Sequence, residues 1–338
     1  MRGSSVAALC VILTLALTPG TAPAGGKVRI KLGTLAPKGS PYYDLLAKMG
    51  QEWRDVSGGS VQLKIYPGGV AGYEGAMVRK MRTGRLHAAT LTSSGIMEID
   101  ATLATLQVPR LLTNVEELEV ALAAIRPLVE QRLGEKGFEV LHIGDTGWVR
   151  FFTREPVTSL EQMRKQKLFV AAGDQQSKDA WKAGGFTVVD VTSTDVLTSL
   201  QTGLLDGFVN PPLGALALQW FGLAKNMVDF PFAPLVGATL VSKKQWEKID
   251  PELRSKLRAI AEKHMLAEQA KLRRMDSESI ETMKKHGLKI HVPSAQERAR
   301  YEAAAQATWP MVREKIVPAD AFDLAMKARD ELRARRGK

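Results

Sequence analysis

The longest uninterrupted helical pattern in the chain runs from Asp250 to Gly287. Asp250 is a good N-cap, Pro251 suits the first helical position, and no further proline or glycine occurs before Gly287. A helix of this span is about 55 Å long. At roughly 100–200 residues per domain the chain forms about two domains, and one domain of about 150 residues is only about 35–40 Å across. An unbroken helix would therefore cross two lobes; the alternative is a kinked pair of helices within one lobe.

The N-terminus has the pattern of a secretory signal peptide. Arg2 is followed by the apolar run Val6–Leu17 and by Ala22-Pro23-Ala24, which predicts cleavage after Ala24. The run is too short for a membrane span, although an N-terminal anchor helix is the alternative. The only cysteine, Cys10, lies within this run. The mature chain therefore has no thiol, which excludes a disulfide scaffold and a zinc site with two or more thiolates.

Short alternating strands and helices follow one another through the rest of the chain. Lys27–Leu32, Val61–Tyr66 and Leu86–Thr92 read as strands separated by helical segments, and the pattern restarts with Lys167–Ala171 and Thr187–Val191. This rhythm predicts α/β architecture with parallel sheets covered by helices. No later segment reaches about 18 uncharged apolar residues, so the mature protein is not expected to span a membrane.

No catalytic or metal-binding motif is present. The sequence lacks a G-x-S-x-G elbow, a P-loop, a G-x-G-x-x-G turn after a strand, and closely spaced histidines. We therefore expect no enzyme activity, no catalytic residues, no metal and no cofactor; a secreted hydrolase is the less favoured alternative. The net charge of +11 raises the possibility of nucleic-acid binding, but the basic residues are interspersed with acids except at the tail Arg333–Lys338. We expect no nucleic-acid partner.

Several motifs resemble the solute-binding proteins of TRAP transporters, the DctP-type family. In the first half these are Lys31–Thr34, Ser57-Gly58-Gly59, Tyr66-Pro67-Gly68-Gly69 and Thr92-Ser93-Ser94. In the second half, Leu200–Pro211 resembles the family's L-Q-T-G-x-x-D-G-x-x-N-P signature. The resemblance extends from about Lys27 to Ile316 and so covers nearly all of the mature chain.

The resemblance implies a two-lobe periplasmic binding protein (type II-like) with a central ligand cleft, crossing strands and a long helix spanning both lobes. With residues 1–24 as signal peptide, lobe I comprises residues 25–146 plus about 235–270, and lobe II comprises 147–234 plus about 271–338. The expected partners are a small organic ligand and the membrane subunits of a TRAP transporter, in the periplasm, with the receptor a monomer or weak dimer. A periplasmic sensor or scaffold that does not feed transport is the alternative.

The ligand-facing positions depart from the family pattern. A family arginine that clamps a substrate carboxylate matches Phe169, and the position that often carries glutamine before N-P matches Phe208. Asn210 matches the family pattern, so the resemblance implies that one ligand-facing side-chain amide is retained. We therefore expect an apolar or uncharged ligand with Phe169, Phe208 and Trp148 as walls. The complete expected ligand-binding set is Tyr73, Glu74, Thr92, Ser93, Trp148, Arg150, Phe169, Phe208 and Asn210.

A carboxylate ligand is the alternative. Arg150 lies at or next to the place of a second family arginine, because the alignment can also put Val149 there. In that case Arg150 would recognise an acid such as a C4-dicarboxylate, and Phe169 and Phe208 would be core residues.

Overall fold

Two mixed β-sheets, each covered by helices, form the body of the protein. The structure is a computed structural model that describes residues 27–337; the predicted signal peptide lies outside the described residues. The strands are β1 (Val28–Thr34), β2 (Val61–Tyr66), β3 (Ala88–Thr92), β4 (Phe138–Trp148), β5 (Arg150–Thr153), β6 (Leu168–Ala171), β7 (Val188–Val191), β8 (Gly207–Asn210), β9 (Asn226–Val228), β10 (Pro234–Ser242) and β11 (Lys289–His291).

Twelve α-helices pack around these sheets in the described part of the chain. They are α1 (Pro41–Val56), α2 (Glu74–Arg82), α3 (Ser93–Met97), α4 (Val115–Glu135), α5 (Leu160–Arg164), α6 (Gln175–Ala183), α7 (Val196–Thr202), α8 (Pro212–Ala217), α9 (Lys243–Trp246), α10 (Pro251–Lys285), α11 (Ala295–Lys315) and α12 (Ala319–Arg336).

The strand order separates the protein into two lobes. The sheet of lobe I has the order β2-β1-β3-β10-β4, and the sheet of lobe II has the order β11-β9-β5-β8-β6-β7. The predicted parallel pairing holds for β1 with β2 and β3, and for β6 with β7 and β8. The prediction of wholly parallel sheets is wrong, because β10 is antiparallel to β3 and β4, and β5 is antiparallel to β8 and β9. The antiparallel strands arise where the chain passes from one lobe to the other and back.

Two neighbouring segments carry the chain between the lobes. Val149 joins β4 to β5 on the way out, and the segment that precedes β10 brings the chain back. The Val149 amide donates to the Ala233 carbonyl at 2.9 Å, and the Phe232 amide donates to the Val149 carbonyl at 3.0 Å. These paired backbone bonds make the connection a two-stranded hinge.

The long helix α10 is unbroken over 35 residues, so it is about 52 Å long. The Asp250 carboxylate caps it by accepting hydrogen bonds from the amides of Glu252 and Leu253. Its first half packs Leu257 into the lobe I core beside Trp53. Its end packs Met283 into a lobe II core. The kinked alternative is therefore wrong, and the helix joins the two lobes as a third connection.

Two further differences concern the C-terminal helices. Pro310 neither ends nor divides α11, which continues to Lys315. Helix α12 buries Phe322 and Ala325 in the lobe I core beneath α4, whereas residues 271–338 were expected to belong to lobe II. The expected boundary between the lobes is corrected at this helix, because its apolar face packs against α4.

Candidate functional site

A cavity of about 410 Å³ lies between the two sheets. Its wall includes the last residues of three strands: Thr92 of β3, Ala171 of β6 and Asn210 of β8. In open α/β sheets, ligands bind at the carboxyl ends of the strands. The volume also lies within the usual range for small-molecule sites. The cavity is therefore the candidate ligand site.

Six of the nine expected residues line this cavity. Lobe I contributes four of them from the ends of β3 and the starts of α2 and α3, and lobe II contributes two from β6 and β8. These six are Tyr73, Glu74, Thr92, Ser93, Phe169 and Asn210.

Glu74 holds the lobe I wall together. One carboxylate oxygen accepts from the Thr92 amide at 2.7 Å, and the other accepts from the Thr92 hydroxyl at 2.6 Å. Burial raises the pKa of Glu74 above its ordinary value, and the hydrogen bonds from Thr92 oppose that rise. A β-carbon at Gly95 would lie 2.7 Å from the Glu74 side chain, so this glycine gives the carboxylate its space. Glu74 is thus chiefly a structural acceptor within the wall.

The polar wall continues on both lobes. The Ser93 hydroxyl donates to the side-chain carbonyl of Gln107, which also lines the cavity. On the opposite lobe, Asn210 ends β8, and a β-carbon at Gly214 would lie 2.2 Å from its side-chain oxygen. The glycine at the start of α8 therefore allows the Asn210 amide its position.

Phe169 forms an aromatic wall. Its side chain is half-buried and meets Trp220 edge to face, with ring centroids 5.7 Å apart. Both rings line the cavity. The position that was expected to match the family's carboxylate-clamping arginine therefore presents a hydrocarbon surface, next to a second aromatic ring.

Three expected site residues do not line the cavity. Phe208 is fully buried and stacks on Phe152 with ring centroids 5.0 Å apart, so its expected role as a wall is corrected to a core role. The Arg150 guanidinium donates to the Asp229 carboxylate at 3.1 Å and to the Trp148 carbonyl at 3.2 Å. Trp148 is half-buried against the lobe I core. These positions belong to the hinge region and to the core behind the site.

Several lining residues are not predictable from the sequence. An aromatic group from α6, the loop after it, the hinge and α11 lines one part of the cavity, and a buried histidine on β4 lies in its wall. They are Trp181, Phe186, Phe232, Tyr301 and His142. The local sequence carries no signal for them, since each looks like an ordinary core residue of its element.

The charge of the lining is unusual for so basic a chain. The protein has 47 lysines and arginines, yet none of the described residues lining the cavity is a lysine or an arginine. The acidic residues of the lining are Glu74, Glu98 and Asp174. The cavity thus offers no fixed cation to pair with an anionic group.

Asp276 of α10 lies directly behind the site. Its carboxylate accepts from the amide of Leu213, a lining residue, at 2.9 Å, and it is only 6% exposed. Burial raises the pKa of Asp276 from 3.8 to about 6, against the hydrogen bonds from the backbone and the charge of Arg150. A β-carbon at Gly147 would lie 2.6 Å from this carboxylate, at a positive φ of 112°. The crossing segment and α10 therefore meet closely here.

We expect Asp276→Asn to stabilise the protein at pH 8 by about 2 kcal/mol and to have little effect at pH 4. A raised pKa means that the folded state binds the proton more tightly than the unfolded chain. The stabilisation by the protonated carboxyl is therefore complete below about pH 4 and lost as the pH rises through about 6. Urea unfolding of both proteins between pH 4 and 8 measures the difference. Parallel pH profiles would contradict the expectation.

Two lobes joined by a hinge, with a cavity at the strand edges between them, form the architecture of a ligand-binding receptor. A sequence model of the bacterial extracellular solute-binding proteins, family 7 (DctP), matches residues 32–315. The chain belongs to this family, which confirms the resemblance. No helix among residues 27–337 is long and apolar enough to cross a membrane.

The relatives are distant in sequence, and a solved structure is close in fold. Solute-binding protein RD1_1052 of Roseobacter denitrificans is 24% identical over 210 residues, which are 62% of this chain and 64% of the relative. The sialic acid-binding periplasmic protein SiaP of Vibrio cholerae is 21% identical over 285 residues, or 83% and 87% of the two chains. The crystal structure of the sugar acid-binding protein DctPAm of Advenella mimigardefordensis with galactonate superposes with a TM-score of 0.84 at 17% identity, covering 90% of this chain and 99% of the other. This structural likeness establishes the two-lobe fold.

Proposed function

We propose that this protein is an extracytoplasmic receptor that captures a small apolar or uncharged organic molecule between its lobes. The observation that carries the proposal is the absence of lysine and arginine from the described cavity lining, together with Phe169 at the place of the clamping arginine. A carboxylate that enters such a cavity loses its hydration without gaining a cationic partner, which costs several kcal/mol. A neutral ligand avoids this cost and gains from the apolar walls.

The cargo is proposed to be delivered to the membrane subunits of a TRAP transporter, with the receptor acting in the periplasm as a monomer or weak dimer. Family membership and the predicted signal peptide support this role. Closure of the two lobes on the ligand would provide the signal that the transporter reads, since a ligand shifts a hinge equilibrium by its differential affinity for the closed state.

A carboxylate receptor is the second candidate, because related proteins bind sialic acid and galactonate. It requires Arg150 to leave the Asp229 carboxylate, 3.1 Å away, and to turn into the cavity. The side chain of Arg150 is only 15% exposed and also donates to the Trp148 carbonyl. The rearrangement would break both contacts, so the neutral ligand is favoured.

The test compares neutral and anionic probes. We expect wild type to bind the uncharged fluorophore N-phenyl-1-naphthylamine and to give no calorimetric signal with millimolar succinate, galactonate or D-glucuronate. Phe169→Arg should weaken binding of the fluorophore about tenfold or more, because it places an unpaired charge in the apolar wall. Fluorescence titration measures binding of the neutral probe, and calorimetry measures binding of the three acids.

Leu223→Arg is the matched control, since this leucine is exposed and lies outside the lining. It adds the same charge and should leave binding unchanged. Melting temperatures confirm that both variants fold. Tight binding of any of the three acids by wild type would refute the neutral-ligand proposal and favour the carboxylate receptor.

A further inference from the structure

The cavity extends well beyond the cleft between the facing strand ends. Two hydrophobic cores lie in lobe I, one beneath α4 and α12 and one beneath α1 and α10, and two lie on the opposite faces of the lobe II sheet. Residues of all four cores contribute to the lining: Val312, Met265, Phe232 and Trp220 represent one each. The space therefore reaches from the lobe I sheet to the lobe II sheet.

One end of the cavity is polar but uncharged. Thr90 and Thr239 lie side by side on β3 and β10, with their hydroxyl oxygens 3.0 Å apart. His142 lies on the neighbouring strand β4, directly opposite Thr239. All three line the cavity.

His142 carries an unused hydrogen-bonding group. Its side chain is only 7% exposed, and its Nδ1 atom has no hydrogen-bond partner. Burial lowers the pKa of His142 to about 3, with a smaller contribution from the charge of Arg126. The imidazole is therefore neutral at physiological pH. A buried polar atom without a partner is rare and costly in folded proteins, so a ligand group that reaches it gains a hydrogen bond that the empty protein lacks.

The other end of the cavity is hydrocarbon. Phe186 and Trp181 meet edge to face at 5.0 Å, and Trp181 stacks on Phe232 at 5.4 Å. Helix α11 adds Ala304 to the same group, and Val312 of that helix also lines the cavity. Such a surface gains from an apolar chain in proportion to the area that the chain covers.

We infer that the cargo is an elongated, uncharged amphiphile of the alcohol type. Its hydroxyl group lies at the Thr90, Thr239 and His142 end, and its apolar chain extends from lobe I towards the aromatic group of lobe II and α11. This inference rests on the proposed function and adds to it the shape of the ligand and the direction in which it lies.

The test uses the 1-alkanols from butanol to decanol in competition with N-phenyl-1-naphthylamine, with decanoate and decane as head-group controls. We expect affinity to rise about fourfold per methylene group, as expected for full burial of each group. Decanol should bind more tightly than decanoate and decane.

Two pairs of variants separate the ends of the cavity. His142→Leu should lower the affinity for decanol about fivefold to tenfold, while the dependence of affinity on chain length remains. His142→Gln should restore part of the lost affinity. Ala304→Trp fills the apolar end, so it should abolish the gain from the longest chains while butanol binds as before. Ala303→Trp is its matched control, since Ala303 is exposed on the same helix and outside the lining.

The outcomes distinguish the two proposals. Decanoate binding as tight as decanol overturns the proposed function itself. Alcohol binding without chain-length dependence leaves the proposed function in place and overturns the elongated ligand, as does failure of all alcohols to bind. Unchanged decanol affinity in His142→Leu overturns the assignment of the polar end.

Discussion

Trp53→Ala is expected to lower the free energy of unfolding by about 4–5 kcal/mol. Trp53 of α1 is fully buried against α10, its indole N–H donates to the Leu257 carbonyl at 2.9 Å, and its ring centroid lies 5.5 Å from that of Trp246. Removal of so large a side chain costs its transfer free energy and leaves a cavity. It also leaves the Leu257 carbonyl without this donor.

Trp53→Phe separates packing from hydrogen bonding. It keeps most of the apolar contact and loses the indole N–H, so we expect a loss of about 1–2 kcal/mol. Urea unfolding followed by far-ultraviolet circular dichroism measures both variants. Equal effects of alanine and phenylalanine would show that the packing of the ring contributes little, against the expectation.

Arg273→Met is expected to lower the free energy of unfolding by about 3–5 kcal/mol. The guanidinium of Arg273 in α10 donates to the Asp145 carboxylate of β4 at 2.8 Å, and that carboxylate is only 4% exposed. Gln269 donates to the same carboxylate at 2.9 Å, but it supplies no charge. Loss of the arginine therefore leaves a buried anion without its cation, which is the costly way to break an ion pair.

A double-mutant cycle tests this assignment. Asp145→Asn removes the negative charge, so the combined variant Asp145→Asn with Arg273→Met should be more stable than Arg273→Met alone. Arg335→Met is the surface control, because its side chain is 79% exposed and its carboxylate partner lies 3.9 Å away. That pair should contribute at most about 1 kcal/mol. Additive losses in the cycle would contradict the predicted coupling.

The local elements could be predicted from the sequence where the signal is itself local. The cap at Asp250 and the absence of breakers up to Gly287 predicted α10 to within two residues of its observed end. The alternation in Val61–Tyr66 predicted β2. In contrast, β10 was missed as the antiparallel neighbour of β3 and β4. Its partners lie about 90 to 150 positions earlier in the chain, so no nearby pattern reveals the pairing.

The sequence predicted the candidate site only to the extent that it placed the site at the ends of the strands. Thr92, Phe169 and Asn210 end or lie near the ends of strands, and the cavity lies there. Phe169 and Phe208 were expected to act alike. Phe208 faces Phe152 across its pair of strands and enters the core, whereas Phe169 meets Trp220 at the cavity wall. The local sequence does not distinguish the two phenylalanines. The packing of the lobe II sheet places one in the core and the other at the cavity wall.

The sequence by itself determined the family, the helices and strands with strong local signals, and the helix long enough to join two lobes. These follow from short-range hydrogen bonding, capping and apolar periodicity, which act within a few residues. Only the tertiary structure decided that α12 covers lobe I, that Arg150 pairs with Asp229, and that His142 lies in the cavity wall. Each of these depends on contacts between distant segments, because burial and charge pairing are properties of the assembled surfaces rather than of any one segment.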